Sequence, residues 1–303
     1  MATKIRVKPK RGIRGILETG IWGTLLLCSL VSIFTLAMVF LYLVGNALPF
    51  FGRLDLWSFL SGTSWNPFGD PASYGVLPLL VGTILVSLVA AVIAIPIGLG
   101  CTIYLSEIAD PKVKRIFKPA IEILAGIPSV VYGLFAALVL SDWLRSITHS
   151  SSRLNALNGA IILAVMMVPI LVSIAEEAMN SVPRSIKEAS MALGANRWET
   201  IRRTTLPAAL PGIVAAIVLS MGRAIGETMA VIMATGNATQ LTFDILSSVR
   251  TMTAALAIDV PEAVSGSVQY QALFAVGLLL FILTFGINLI ADYLMTRFKE
   301  AYK

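Results

Sequence analysis

Charge is what this chain has least of. Asp, Glu, Lys and Arg make up 13% of its 303 residues, against about 25% in an average soluble domain. A water-facing surface cannot be built from so few. A single histidine and two cysteines argue against a clustered metal site or a disulfide framework. Cys28 and Cys101 fall in apolar runs with no metal or redox spacing and read as small packing residues. His149, in a Ser-rich stretch, reads as a solvated loop residue. No nucleophile stands with a base in a catalytic pattern. No G-x-x-x-x-G-K-[ST] loop is present, so the chain cannot cradle ATP by that device. Polar/apolar alternation is missing too, which argues against an outer-membrane barrel. What abounds is apolar surface: 57% of residues are hydrophobic and the mean hydropathy is +0.84. The chain reads as an all-α polytopic membrane protein.

Charge-free windows at 19–52, 71–106, 123–141, 154–175, 204–222 and 263–291 locate the spans. About 20 apolar residues cross the ~30 Å hydrocarbon core, so six helices are expected, near 21–44, 74–105, 119–141, 156–178, 208–235 and 269–294. The first charge-free run, 34 residues long, far exceeds the h-region of a secretory signal, so an uncleaved first span is expected. Orientation follows from the basic residues. Of 23 Lys and Arg, 18 lie before the first span, in 106–118, in 179–207 or in the tail. Basic loops thus alternate with neutral ones, as six crossings with both termini cytoplasmic require. The net charge of +6 reads as orientation signal and headgroup affinity rather than nucleic-acid binding. The expected organisation is a basic cytoplasmic segment 1–20, a first helix and outer loop over 21–73, a helical core over 74–296 and a cytoplasmic tail 297–303. Pro96, Pro169 and Pro211 mark expected kinks.

The outer loop 45–73 is rich in aromatics, among them Phe50, Phe51, Trp57, Phe59 and Trp65. It reads as an interfacial belt or as a docking surface for an external partner. The cytoplasmic segment 179–207 differs in kind. Ser185 and Glu188 have capping-box spacing, as do Asn196 and Glu199. Two short amphipathic helices are expected, one with Ile186, Ala189 and Leu193 on a face, the other with Trp198 and Ile201 on one side. Gly194 would end the first and Leu206-Pro207 the second. Such a knob either caps the bundle or plugs into a cytoplasmic partner.

Glu188-Ala189-Ser190, Gly194 four residues on, and Leu206-Pro207 resemble the EAA signature of ABC-importer permeases. Thr204 stands where that signature usually has an aliphatic residue. The resemblance, spanning roughly 75 to 295, implies a six-helix type-I (MetI-like) fold in which Glu188, Ala189, Gly194, Leu206 and Pro207 belong to the loop that couples to an ATPase subunit.

Arg223 and Glu227 are the only charges well inside an expected span. An arginine at a helix centre costs about 2.5–3.5 kcal/mol on insertion scales, so the pair should face a bundle interior or a water-filled path. At i, i+4 in one helix the two can pair, with Ser220 on the same face and Thr228 flanking it. One reading is a structural ion pair; the other is an anion site, since a guanidinium fork matches tetrahedral oxyanions. A neighbouring carboxylate would favour an oxyanion that still carries a proton, phosphate over sulfate. In the third span, Gly126 and Pro128 weaken the helix ladder, and Ser129 and Tyr132 either line a path with hydroxyls or simply pack.

The strings Gly222–Val231 and Glu122–Gly133, with Ser64-Trp65-Asn66-Pro67 outside, are similar to the PstC family of phosphate-importer permeases. That resemblance implies a substrate path containing Arg223, Glu227, Thr228, Ser129 and Tyr132. It also implies a PstA-like second permease, a PstB-like ATPase dimer that binds ATP-Mg, and a PstS-like extracytoplasmic phosphate-binding protein. No cofactor or metal is expected in this chain, which would be a non-catalytic, multi-pass subunit in the cell membrane. Alternatives are a sulfate, molybdate or tungstate permease, an ion-coupled secondary phosphate transporter, or a structural or sensory subunit.

Overall fold

In a computed structural model, residues 13–300 are described. The basic residues Lys4, Arg6, Lys8, Lys10, Arg11 and Lys303, which carry much of the orientation argument, lie outside that range. Among the described residues six helical stretches are long and apolar enough to cross a membrane: Gly20–Phe51, Leu77–Ile108, Ser129–Thr148, Ala156–Asn180, Arg197–Gly226 and Val268–Ile290. Six helices are therefore present, but two of them differ from the sequence expectation, and both differences sit at the candidate site.

Helix α1 (Ile13–Phe51) packs along α13 (Val268–Glu300) and leaves residues 20–42 exposed all round. A short α2 (Leu56–Ser61), capped by Asp55, and a two-residue hairpin of β1 (Trp65–Asn66) and β2 (Ser73–Tyr74) follow outside. Span two is α3 (Leu77–Ile103), extended by a π-helical turn at Tyr104–Ile108. Next come α4 (Pro111–Gly126), α5 (Ser129–Phe135), a π turn at Ala136–Leu140 and α6 (Ser141–Thr148). The expected third span, 119–141, is thus interrupted at Ile127-Pro128. Helix α7 (Ala156–Asn180) is the central post, packed on both α3 and the fifth span.

The segment 179–207 forms α8 (Arg184–Ala192) and α9 (Arg197–Thr200). Asn196 and Glu199 make the expected capping box, and Gly194, at φ +92°, supplies the left-handed turn between the helices. Ser185 does not cap: the N-cap falls two residues earlier, at Pro183, which puts Ser185 inside the helix. Nor does Leu206-Pro207 end the second helix. A π turn at Ile201–Thr205 carries α9 straight into α10 (Leu206–Gly226), where Pro207 occupies a first-turn position that needs no N–H donor. Ile201 consequently turns into the protein while Trp198 stays exposed. The chain then forms α11 (Met229–Ala234), an irregular outer segment, α12 (Met252–Asp259) and α13. Pro96, Pro169 and Pro211 remain inside continuous helices.

The aromatic loop 45–73 is buried more than an interfacial belt would be. Phe50, Phe59 and Trp65 are fully enclosed with Val76, Met252 and Leu273, although Trp57 is exposed. Trp65 Nε1 donates to Asp259 Oδ2 at 3.1 Å, and Arg250 Nη1 donates to Asp259 Oδ1 at 3.1 Å. Arg250 Nε donates to the Asn237 carbonyl at 3.0 Å. This knot fastens the first outer loop to the second. Nearby, burial pushes the Tyr74 hydroxyl above the usual tyrosine range. The Leu246 N–H and Ser247 hydroxyl hold the Asp244 carboxyl below the carboxylate range.

Because Asp259 is 4% exposed, Asp259→Ala strands the Arg250 charge. It is expected to cost about 3–5 kcal/mol, read as a lowered thermal midpoint of the detergent-solubilised protein.

Candidate functional site

Two helix breaks lie side by side, each within one of the apolar spans expected from the sequence. The first has a local cause: Pro128 lacks an N–H and disfavours helical geometry at Ile127, which takes ψ 130°. The second contains no proline. At Gly226-Glu227-Thr228 the glycine weakens the ladder and Glu227 turns to extended backbone at φ −69°, ψ 131°.

Irregular backbone at this depth must find partners, and each break has them. Tyr132 Oη donates to the Leu124 carbonyl at 2.8 Å, across the first break. Thr253 Oγ1, from α12, donates to the Glu227 carbonyl at 2.9 Å, and Thr228 Oγ1 donates to the Gly226 carbonyl at 3.3 Å. Glu227 Oε1 accepts the Ala230 N–H at 3.3 Å, so its carboxylate caps α11. The two outer half-helices touch closely. A Cβ on Gly133 would sit 3.0 Å from the Ala230 Cα, so glycine permits this approach. Asn158 of α7, fully buried, donates from Nδ2 to the Ala234 carbonyl at 2.9 Å and to the Ala136 carbonyl at 3.3 Å. One amide thereby clamps the ends of both half-helices.

The break changes the relation between Arg223 and Glu227. They no longer share a helix, and no ion pair joins them within 4.0 Å. Both still border one narrow crevice, too tight to admit a water molecule, with Leu163, Met166, Met167 and Ala224. Arg223 is exposed on the subunit's flank and, among the described residues, makes no hydrogen bond or ion pair. Ser220 does not share its face: it is fully buried and donates to the Ile217 carbonyl at 2.8 Å. Thr228 borders a different, larger groove of about 640 Å³, which includes Thr253 and Thr284. Tyr132 is buried among Met166, Met167 and Ala224, with its hydroxyl already committed. Ser129 is half-buried at the start of α5.

The residues expected to form a coupling loop gather at the far end of the bundle. Glu188, Ala189 and Gly194 are exposed, Pro207 is half-buried and Leu206 packs into the core between α7 and α10. Leu193 is 91% exposed and Trp198 58% exposed, an apolar pair unusual outside a membrane. Thr204 is engaged: its Oγ1 donates to Ser190 Oγ at 3.1 Å, and Ser190 lies 3.3 Å from Thr200 Oγ1. The hydroxyl that departs from the usual aliphatic residue therefore ties the two halves of the loop together. Sequence reasoning missed Asn158 and Thr253. An asparagine inside an apolar run was a signal for the first; nothing local marked the second.

A family model described as the binding-protein-dependent transport system inner membrane component matches residues 94–300. The chain is 37% identical over 274 residues to the probable ABC transporter permease protein YqgH of Bacillus subtilis, covering 90% of this chain and 89% of that one. It is 36% identical over 271 residues to the phosphate transport system permease protein PstC of Mesorhizobium japonicum, covering 83% and 81%. A PstC of Haemophilus influenzae is 30% identical over 298 residues, covering 91% and 92%. Among solved structures, a chain of the MetNI methionine ABC transporter superposes with a TM-score of 0.57 at 20% identity, over 72% of this chain and 93% of that one. A chain of a bacterial importer of the acidic polysaccharide alginate gives 0.62 at 16% identity, over 93% and 98%. Those likenesses establish a shared MetI-like fold.

Asn158→Leu keeps the number of side-chain heavy atoms but removes both clamp bonds; the Ala136 carbonyl keeps the Ser141 N–H, whereas the Ala234 carbonyl loses its Asn158 donor. A loss of about 1–3 kcal/mol is expected, measured by denaturant unfolding in detergent.

Proposed function

The chain belongs to the binding-protein-dependent transport system inner membrane component family, and from that membership as the permease component of an ABC importer we propose that it carries phosphate. The observation behind this reading is Arg223: a guanidinium in an apolar span, exposed on the subunit's flank and, among the described residues, without a hydrogen bond or ion pair. At the depth of a membrane span a cation is costly unless an anion or a partner chain completes it. Relatives named phosphate transport permeases, alike over most of their length, support phosphate as that anion. Glu227, across the crevice, is the group that would accept a hydrogen bond from a protonated oxyanion and disfavour sulfate. Thr228, Ser129 and Tyr132 complete the proposed path as hydroxyl-bearing neighbours.

Anion entry into a negative-inside cell runs uphill by about 2.3 kcal/mol per charge per 100 mV, so concentrative uptake needs an energy source. We place it on a separate PstB-like ATPase dimer that binds ATP-Mg, docked on 179–207 through Leu193 and Trp198. A PstA-like permease would face Arg223 across the path, and a PstS-like binding protein would deliver phosphate to the outer loops. Both termini, with the basic loops, would lie in the cytoplasm. An ion-coupled secondary transporter would have no use for an exposed apolar docking loop.

Two outcomes are expected. In cells with no other phosphate importer, Arg223→Ala should lower [33P]phosphate uptake at least tenfold while the permeases and ATPase still purify together. Sulfate and molybdate should not compete in the parent strain. Unimpaired uptake by an assembled Arg223→Ala complex would overturn the anion role. Separately, Leu193→Glu should release the ATPase on purification and abolish uptake without altering membrane insertion.

A further inference from the structure

A second cationic cavity lies far from Arg223, at the end of the bundle that carries the coupling loop. It encloses about 710 Å³ between the π turn of span two, the start of α4, and α8 and α9. Four cations line it: Lys114, Arg184, Lys187 and Arg197. Against them stands one lining carboxylate, Glu107, which Lys187 Nζ engages at 2.6 Å. Lys114 Nζ donates to the Ser106 carbonyl at 2.9 Å, a bond that leaves its charge uncompensated. Arg184 and Arg197 are exposed and, among the described residues, make no hydrogen bond or ion pair. The Ser106 hydroxyl is enclosed yet has no partner. An orphaned donor beside three unneutralised cations is an arrangement that a multidentate anion satisfies.

We propose that this cavity binds a phosphate-bearing anion, either free inorganic phosphate or the headgroup of an anionic phospholipid. Guanidinium forks from Arg184 and Arg197 would grip the oxygens, with Lys114 and Ser106 on the opposite wall. Of the exposed apolar residues on this loop only Met191 lines the cavity; the most exposed, Leu193 and Trp198, do not. That separation favours a small anion over an acidic segment of the ATPase. The site's position at the membrane-proximal end of two spans suits a headgroup as well as a free ion. Occupancy would bridge α8 to α4 and resist movement of the coupling loop against the span beneath it. The inference stands whichever oxyanion the path carries.

The test uses the assembled transporter and two readouts. Bound [33P]phosphate is measured by equilibrium dialysis in detergent. Retained phosphatidylglycerol is measured by mass spectrometry after purification from phosphatidylglycerol/phosphatidylcholine nanodiscs. Arg184→Gln/Arg197→Gln removes the forks, and Ser106→Asp, outside the coupling loop, sets a carboxylate among the cations. At least tenfold weaker phosphate binding in both variants, for a component that Arg223→Gln leaves unchanged, supports the free ion. At least threefold less retained phosphatidylglycerol with unaltered phosphate binding supports the headgroup. If neither quantity changes, or if the only effect is loss of the ATPase, the proposal is overturned. Should the double variant release the ATPase, Ser106→Asp alone decides. Loss of phosphate binding in Arg223→Gln alone reports on the path and not on this cavity.

Discussion

Hydrocarbon offers no water to an unpaired peptide group, and each one left there costs several kcal/mol. This chain nonetheless interrupts two adjacent apolar spans, and much of its architecture follows from making that tolerable. Tyr132 reaches back over its own break, Thr253 reaches in from α12, and Asn158 holds the carbonyl ends of both outer half-helices. The Tyr132 bond is local to its own span, whereas Thr253 and Asn158 reach in from α12 and α7, so the second break gains its partners only as the bundle assembles. The reward is a place where backbone and charge approach each other without a continuous helix wall between them, a device that transporters use for binding sites.

The two ends of the bundle solve different problems. The end formed by the 45–76 and 236–268 segments is fastened by a buried knot of Trp65, Arg250 and Asp259 beside an aromatic cluster. The opposite end leaves cations unneutralised and apolar side chains in the open. A structure that needed only stability would have satisfied both ends alike. The contrast suits a chain whose one end must be steady while the other engages partners.

Much of this was legible in the sequence, and the failures have physical causes. Charge-free windows found all six helices, because insertion depends on local composition and little else. The capping box at Asn196 and the left-handed turn at Gly194 were readable because both are local bonds. The Ser185 cap failed because Pro183 took the N-cap position two residues earlier. Apolar continuity hid the breaks: Pro128 signalled the first, but Pro96, Pro169 and Pro211 sit in unbroken helices, so proline alone does not discriminate. The second break, at Glu227, depends on Thr253, which comes from 26 residues away. Arg223 and Glu227 were found by their cost in lipid, whereas their pairing was inferred from a helix that ends between them.

The π turn at Ile201–Thr205 gives α10 a further property. A π turn is a looser joint than the α-helix on either side of it. Beyond it runs a 21-residue rod, Leu206–Gly226, about 31 Å long at the usual rise per residue. Mechanically this is a lever with its fulcrum beside the coupling loop and Arg223 near its free end. A tilt of about 10° at the fulcrum sweeps that end through about 5 Å, by the length of such a rod. A small displacement on one side of the bilayer is thus amplified into a step the size of an ion's diameter at its middle.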